Sequence, residues 1–166
     1  MSRLMQFFII ISIFICASGV FAMALTDVGK VCLFSKMTGV IKLNGKPVAN
    51  AKLIRSVNKS GKKVDETITN EKGEFEFPAI FERTITKFLP QEFVVKQEIF
   101  VQYNHKEYKI WAGVKRGPEE NTEARGKDLV VDCELNSEKK FIEVDGSPII
   151  SLCTWNVEPD VIDTGF

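Results

Sequence analysis

The fold is decided by residues 39–78, which open as GVIKLNGKPVANAKLIR (39–55) and close as TITNEKGEFEFP (67–78). Asn44 and Gly45 separate two short strand patterns, and this dipeptide favours a tight hairpin turn because both residues tolerate positive φ. Gly73 supplies a left-handed residue for the turn before the last strand. In that strand Phe75 and Phe77 alternate with glutamates, the pattern of a strand with one buried face. The stretch therefore predicts antiparallel strands joined by hairpins.

Short β-prone segments between turn signals continue along the rest of the chain. Regularly spaced segments of this kind are typical of all-β domains. Residues 80–89 are ambiguous, because their apolar residues fit a helical turn and an irregular crossing equally well. We therefore predict an all-β fold, an antiparallel β-sandwich, with strands at 38–43, 51–58, 64–69, 74–77, 93–103, 108–114, 129–135 and 149–155.

The N-terminal segment has the composition of a signal peptide. Arg3 provides the positive start, and the apolar run at 7–15 is too short to span a bilayer. Small residues fit cleavage after Ala22 or after Ala24, and retention as a membrane anchor is the alternative. Residues 1–24 are therefore a predicted signal peptide, which implies a periplasmic or secreted protein. The remaining residues, 25–166, form one predicted domain with a loosely held C-terminal tail from residue 156.

The charge balance argues against a nucleic-acid partner. Loss of Arg3 with the signal peptide leaves 21 basic residues against 22 acidic ones. A nearly neutral chain lacks the basic surface that neutralises phosphates. We expect no nucleic-acid binding, and no stable membrane span once the signal peptide is removed.

Three cysteines remain after the predicted cleavage, and export places them where disulfides persist. An odd number allows at most one internal bridge. Cys133 and Cys153 lie on apolar faces of two late strands that we expect to be neighbours, which makes them the preferred pair. A bridge from Cys32 to either of them is the rival, and three buried thiols are the third possibility.

Two motifs within residues 39–78 resemble the carboxypeptidase regulatory-like domain, a transthyretin-like β-sandwich. They are NGKPVANA (44–51) and TNEKGEFEF (69–77), in a segment of about 40 residues. The resemblance implies the fold. For function it implies an accessory, adhesive, sugar-binding or partner-binding role and does not point to a particular enzymatic activity. The chain is also similar to small exported bacterial proteins that carry this domain alone, some of which are immunity partners of secreted toxins.

No catalytic constellation is visible in the sequence. His105 is the one histidine, in a predicted hairpin tip, so neither a histidine-based triad nor a histidine zinc site has its partners. No two cysteines stand at metal-ligand spacing. We expect no enzyme activity, no cofactor and no metal. The alternative is a hydrolase that uses paired carboxylates such as Glu119 and Glu120.

One aromatic hairpin and the charged segment after it form the predicted partner-binding site. Tyrosine and tryptophan are enriched where proteins bind partners, and flanking charges select among partners. A protein partner, either a secreted effector or an envelope protein, is the favoured ligand, and a glycan or peptidoglycan is the alternative. The two tryptophans have a second interpretation, as core residues of the sandwich. The predicted site comprises Tyr103, Tyr108, Trp111, Lys115, Arg116, Glu119 and Glu120, with Glu123 and Trp155 nearby.

Overall fold

The structure is a computed structural model that describes residues 29–84 and 91–161. The predicted signal peptide lies outside these residues. The described strands are β1 (Lys30–Phe34), β2 (Met37–Leu43), β3 (Lys46–Pro47), β4 (Lys52–Asn58), β5 (Lys62–Ile68), β6 (Glu74–Phe77), β7 (Ile80–Arg83), β8 (Val95–Tyr103), β9 (Lys106–Lys115), β10 (Leu129–Glu134), β11 (Lys140–Val144), β12 (Ser147–Ser151) and β13 (Cys153–Trp155).

Two larger sheets and one strand pair make up the fold. The six-stranded sheet has the order β11-β12-β9-β8-β4-β5 and is antiparallel throughout. The five-stranded sheet has the order β13-β10-β2-β3, with β6 paired to the first half of β2. Strands β1 and β7 pair separately. The predicted all-β sandwich is confirmed, and among the described strands the one parallel pair is β2 with β10.

The predicted turns form for the expected reason. Asn44 and Gly45 have φ values of 54° and 73°, and Gly73 has a φ of 74°. Positive φ at both central residues gives a hairpin turn whose twist matches that of the flanking strands. Asn104 and His105, also at positive φ, make the same kind of turn between β8 and β9.

The core lies between the two larger sheets and follows the alternation of the strands. Phe75 and Phe77 are 5% and 1% exposed, whereas Glu74 and Glu76, which alternate with them, face solvent. Gly39 allows the close parallel pairing of β2 with β10, because a Cβ there would lie 2.3 Å from the Val131 carbonyl oxygen. The alternating pattern thus closes one face of the five-stranded sheet against the core and leaves the other in solvent.

A buried arginine is part of this core. Arg55, fully buried on β4, donates from Nε and Nη2 to the two carboxylate oxygens of Asp65 at 2.9 and 2.5 Å. Its guanidinium lies over the rings of Phe34 and Phe77, at 5.0 and 4.5 Å from their centroids. A planar guanidinium suits both contacts at once, since it forks to a carboxylate and stacks on aromatic faces.

Three parts of the strand assignment differ from the sequence prediction. Strands β1 and β11 were not predicted, and β7 lies in the segment that the pattern left ambiguous. The predicted strand 149–155 is two strands, since β12 belongs to the six-stranded sheet and β13 to the five-stranded one. The chain crosses between the sheets at Leu152, which lies between β12 and β13 and donates its backbone N–H to the Ile110 carbonyl oxygen of β9. A run of β-prone residues does not reveal such a crossing.

Two residues of the predicted C-terminal tail, Glu158 and Asp160, contact the rest of the domain. The Asp160 carboxylate accepts the backbone N–H groups of Asp145 and Gly146 at 3.1 and 2.8 Å, and it pairs with Arg125. Arg125 also donates to the Glu158 carbonyl oxygen. Backbone amides at a turn and one arginine therefore attach this part of the tail to the domain.

The disulfide predicted between Cys133 and Cys153 is present in the structure. These residues are directly opposed on the paired strands β10 and β13. Cys32 is a buried free thiol in β1. Burial raises the pKa of the Cys32 thiol to about 11, so it stays protonated and poorly nucleophilic at neutral pH.

Removing the bridge with Cys133→Ala/Cys153→Ala should lower the free energy of unfolding by about 3 kcal/mol, because the bridge closes a 20-residue separation in the unfolded chain. Urea unfolding with and without reductant measures the difference. Reductant should destabilise the wild type and leave the double variant unchanged. Equal urea midpoints for wild type and variant under oxidising conditions would contradict this role.

Candidate partner-binding surface

A buried carboxylate organises the loop that follows β9. Glu123 is 2% exposed and lies in a short 3-10 helix, Thr122–Ala124. Its carboxylate accepts hydrogen bonds from Ser35 Oγ at 2.5 Å, from Gln97 Nε2 at 2.8 Å and from Lys115 Nζ at 2.7 Å. These donors come from three separate parts of the chain, so one side chain ties the loop to β8, β9 and the segment after β1.

Charge compensation keeps this carboxylate ionised. Burial raises the pKa of Glu123, but the adjacent Lys115 ammonium and the hydrogen bonds from Lys115, Ser35 and Gln97 outweigh burial, and the pKa lies below its ordinary value. Lys115 is itself buried and also donates to Thr122 Oγ1. A buried ion pair of this kind is tolerated only where such hydrogen bonds satisfy both partners.

The two tryptophans belong to the same buried assembly. Trp111 is fully buried and donates from Nε1 to Gln97 Oε1 at 3.3 Å. Trp155 packs against it, with ring centroids 4.9 Å apart, and donates to the Glu123 carbonyl oxygen at 2.9 Å. Trp111 and Lys115, two members of the predicted partner-binding site, are therefore enclosed in the core, and for Trp111 this is one of the two interpretations that the sequence left open.

The remaining members of the predicted site do not form one surface. Tyr103 and Tyr108 are half-buried against the core at the hairpin end of β9, whereas Lys115 ends the same strand. Seven residues of strand between Tyr108 and Lys115 correspond to roughly 23 Å. Arg116 is exposed and pairs with Glu92. The aromatic hairpin and the charged loop are thus at opposite ends of the sheet.

The loop presents a different set of side chains to solvent. Glu119 and Glu120 are exposed, and among residues 29–84 and 91–161 neither side chain has an ion-pair partner. Glu120 lines a groove of about 320 Å³. The groove is completed by Lys36, Thr38, Asn121, Asp128, Leu129 and Val130.

A second groove of about 510 Å³ adjoins the first, because Thr38 and Val130 line both. We call the two together the acidic groove. Its floor is the solvent face of the five-stranded sheet, where Glu76, Thr38 and Val130 are opposed across three strands. Two residues further on, Glu74, Val40 and Asp132 are opposed in the same way. The second groove adds Gly39, Val40, Thr67, Ile68, Asn70, Glu74, Phe75 and Glu76.

The acidic groove concentrates one sign of charge on a chain with no net charge. Its lining holds four carboxylates, those of Glu74, Glu76, Glu120 and Asp128, against the single ammonium of Lys36. Lys36 pairs with Glu76 at 2.9 Å. Clustered like charges raise the local concentration of an oppositely charged partner.

Of the residues that line the acidic groove, only Glu120 belongs to the site predicted from the sequence. One signal was available for the buried pair: Trp111, Gly113 and Lys115 alternate along β9, so Lys115 falls on the inward face. No sequence pattern predicts the acidic groove, because the position of the groove depends on which strands lie on either side of β2.

The described residues hold no other obvious chemical centre. Within residues 29–84 and 91–161 no three histidine, cysteine or acidic side chains cluster in a way that would hold a metal ion. His105 is exposed in its hairpin turn. No helix in the same two ranges has the length and apolar character needed to cross a membrane.

Glu123→Gln should lower the free energy of unfolding by about 3–5 kcal/mol, because it leaves the Lys115 ammonium buried without its counter-charge. Lys115→Met should lower the free energy of unfolding by a similar amount, because it leaves the Glu123 carboxylate buried without its counter-charge. The double variant should lose much less free energy of unfolding than the sum of the two single losses, since it leaves no buried charge without a partner. Urea unfolding of all four proteins gives the coupling energy, and simple additivity would show that the pair does not act as a unit.

The stability difference between wild type and Glu123→Gln should shrink as the pH falls. The folded-state pKa of Glu123 lies below the unfolded value of about 4.3, so its contribution is complete above that pH and is lost as the pH drops through the folded-state value. Urea midpoints measured from neutral to acidic pH test this. A difference that stays constant into strong acid would contradict the role of the ionised carboxylate.

Comparison with known proteins relates the chain to one family. No curated protein sequence matches it significantly. A family described as a domain of unknown function, DUF6795, matches residues 37–138, which is more than half of the chain. The matched segment begins at the first residue of β2, extends beyond β10, and includes Lys115, Glu123 and the lining of the acidic groove apart from Lys36. The chain belongs to the DUF6795 family.

Proposed function

We propose that this protein is an exported, non-catalytic module that binds a protein partner through the acidic groove. The observation that carries the proposal is the concentration of four carboxylates against one ammonium over an open sheet face of an otherwise neutral chain. Protein-binding surfaces use such charge to steer and select partners. The buried contacts of Glu123 support it further, because they hold one wall of the groove in place without a partner.

A glycan ligand is less well supported. Carbohydrate sites would use exposed tryptophan or tyrosine, but Trp111 is in the core and the indole N–H of Trp155 is used within the domain. Tyr103 and Tyr108 lie half-buried at the other end of the sheet. The acidic groove itself is lined by carboxylates, threonines, asparagines, one lysine and aliphatic side chains, and its one aromatic residue, Phe75, is buried.

A hydrolase that depends on paired carboxylates remains the alternative from a different class. Glu123 is a poor candidate for acid–base work, because it is buried, ionised and already saturated with hydrogen bonds. Glu120 and Asp128 line the same groove, and they are the carboxylates that such an enzyme would use. Turnover of a cell-wall or glycan substrate that disappears in Glu120→Gln would favour the hydrolase over the binding module.

The sequence motifs allow a more specific proposal for the type of sandwich, the location of the protein and its partner. We infer a sandwich of the carboxypeptidase regulatory-like type, supported by the Asn44-Gly45 hairpin and the buried Phe75 and Phe77 in the motif positions. Export is supported by the Cys133–Cys153 bridge, since disulfides persist in oxidising compartments. A secreted effector, neutralised in the manner of an immunity protein, is the specific partner that we propose.

A pull-down from the native cell envelope tests whether the groove binds a protein. Val130→Arg places a long side chain on the groove floor, where Val130 is 58% exposed, and should abolish recovery of the partner. Val64→Arg is the matched control, because Val64 is 57% exposed on β5 and does not line the groove. Wild type and control should recover the same protein.

Two outcomes would overturn the proposal. Recovery of the partner by Val130→Arg as efficiently as by wild type would remove the groove from the interface. Retention of wild type on purified cell-wall material, with no protein recovered, would favour the glycan ligand. Thermal unfolding of both variants shows whether they are folded.

A further inference from the structure

We infer that the acidic groove receives an extended segment of the partner that carries lysine or arginine at alternate positions. This inference rests on the proposed function and specifies the chemistry of the ligand. It commits to a protein segment in an extended conformation, whose cationic side chains face the sheet.

The distribution of ion pairs argues for a cationic ligand. Glu76 is compensated by Lys36, and Glu74 accepts a hydrogen bond from the Asn70 amide at 2.8 Å. Among the described residues, no ammonium or guanidinium pairs with Glu74, Glu120 or Asp128. Three carboxylates therefore face the groove without a counter-charge from the described part of the chain, and these attract a cation and repel an acidic competitor.

The floor of the groove suits the stems of lysine and arginine. Val130 and Ile68 are 58% and 63% exposed. Val40 lies on the same face between Glu74 and Asp132, and Asp132 already pairs with Lys42 at 2.5 Å. Long cationic side chains bury their methylene stems on apolar surface while the charged head stays in polar surroundings. An apolar strip bordered on one side by a carboxylate such as that of Glu74 matches that division within one side chain.

The spacing of the face suits an extended backbone. The row Glu76–Thr38–Val130 and the row Glu74–Val40–Asp132 are two residues apart on β2, β6 and β10. Two residues of strand correspond to about 7 Å, which is also the distance between alternate side chains of an extended peptide. Successive cationic side chains on one face of such a peptide therefore meet successive rows of the sheet.

Fluorescence anisotropy with a labelled peptide of alternating lysine and serine tests the inference on the full mature chain. The peptide should bind wild type, and raised salt should weaken the complex. A matched peptide of glutamate and serine should not bind. Glu74→Gln/Glu76→Gln/Glu120→Gln/Asp128→Asn should weaken binding of the lysine peptide roughly tenfold or more, because several favourable charge contacts are removed together.

The control variant removes the same charge elsewhere. Glu66→Gln/Glu107→Gln/Glu138→Gln/Glu143→Gln changes four exposed or half-buried carboxylates that do not line the groove, and its affinity should stay within about twofold of wild type. If both quadruple variants bind the lysine peptide equally weakly, only the net charge of the protein determines the affinity, and the inference is wrong. Should the groove variant prove unstable, Val130→Arg and Val64→Arg provide the same comparison.

The pull-down separates this inference from the proposed function. Suppose that wild type recovers a protein and that Val130→Arg does not. If the four-carboxylate variant then binds this protein with unchanged affinity, the groove is supported as the binding site and the cationic segment is overturned. Absence of any peptide affinity at low ionic strength would also overturn it. Methyl chemical shifts of Val40 and Val130 that move on titration with the lysine peptide would support it.

Discussion

The buried Glu123–Lys115 pair is the interaction on which the loop after β9 depends. Glu123 receives hydrogen bonds from Ser35, Gln97 and Lys115, and its own carbonyl oxygen accepts the indole N–H of Trp155. An ionised carboxylate without these partners would be costly to bury. The loop therefore has one position in which its central carboxylate is satisfied, and Glu120 and Asn121 take their places in the groove wall from that position.

The two sheets are joined by contacts of different physical kinds. Arg55 of the six-stranded sheet lies against Phe77 of the five-stranded sheet and pairs with Asp65 on its own sheet. The disulfide fastens β13 to β10 at the place where the chain has just crossed between sheets. Near the chain's end, Asp160 binds the turn between β11 and β12 through backbone amides. Aromatic, covalent and hydrogen-bonding contacts thus secure a fold whose final strands divide between two sheets.

Charge and aromatic residues are distributed differently from the predicted site. Lys115 is enclosed in the core, as is Trp111, for which the sequence left core and interface both open. The solvent face of the five-stranded sheet, which has few aromatic residues, instead offers an open groove with unbalanced carboxylates. The recognition of a cationic ligand that we propose for this groove would depend on charge and shape more than on a large hydrophobic contact.

Local sequence was sufficient for the turns, most of the strands and the disulfide. Asn44-Gly45, Gly73 and the alternation around Phe75 act over a few residues, where backbone sterics and side-chain period decide the outcome. The cysteine pair followed from inward positions on two strands near each other in the chain. The parallel pairing of β2 with β10, the division of residues 147–155 between two sheets, the burial of Lys115 and the acidic groove required the tertiary structure. Each depends on contacts between segments distant in sequence, and a local pattern does not specify which distant strand will supply the neighbour.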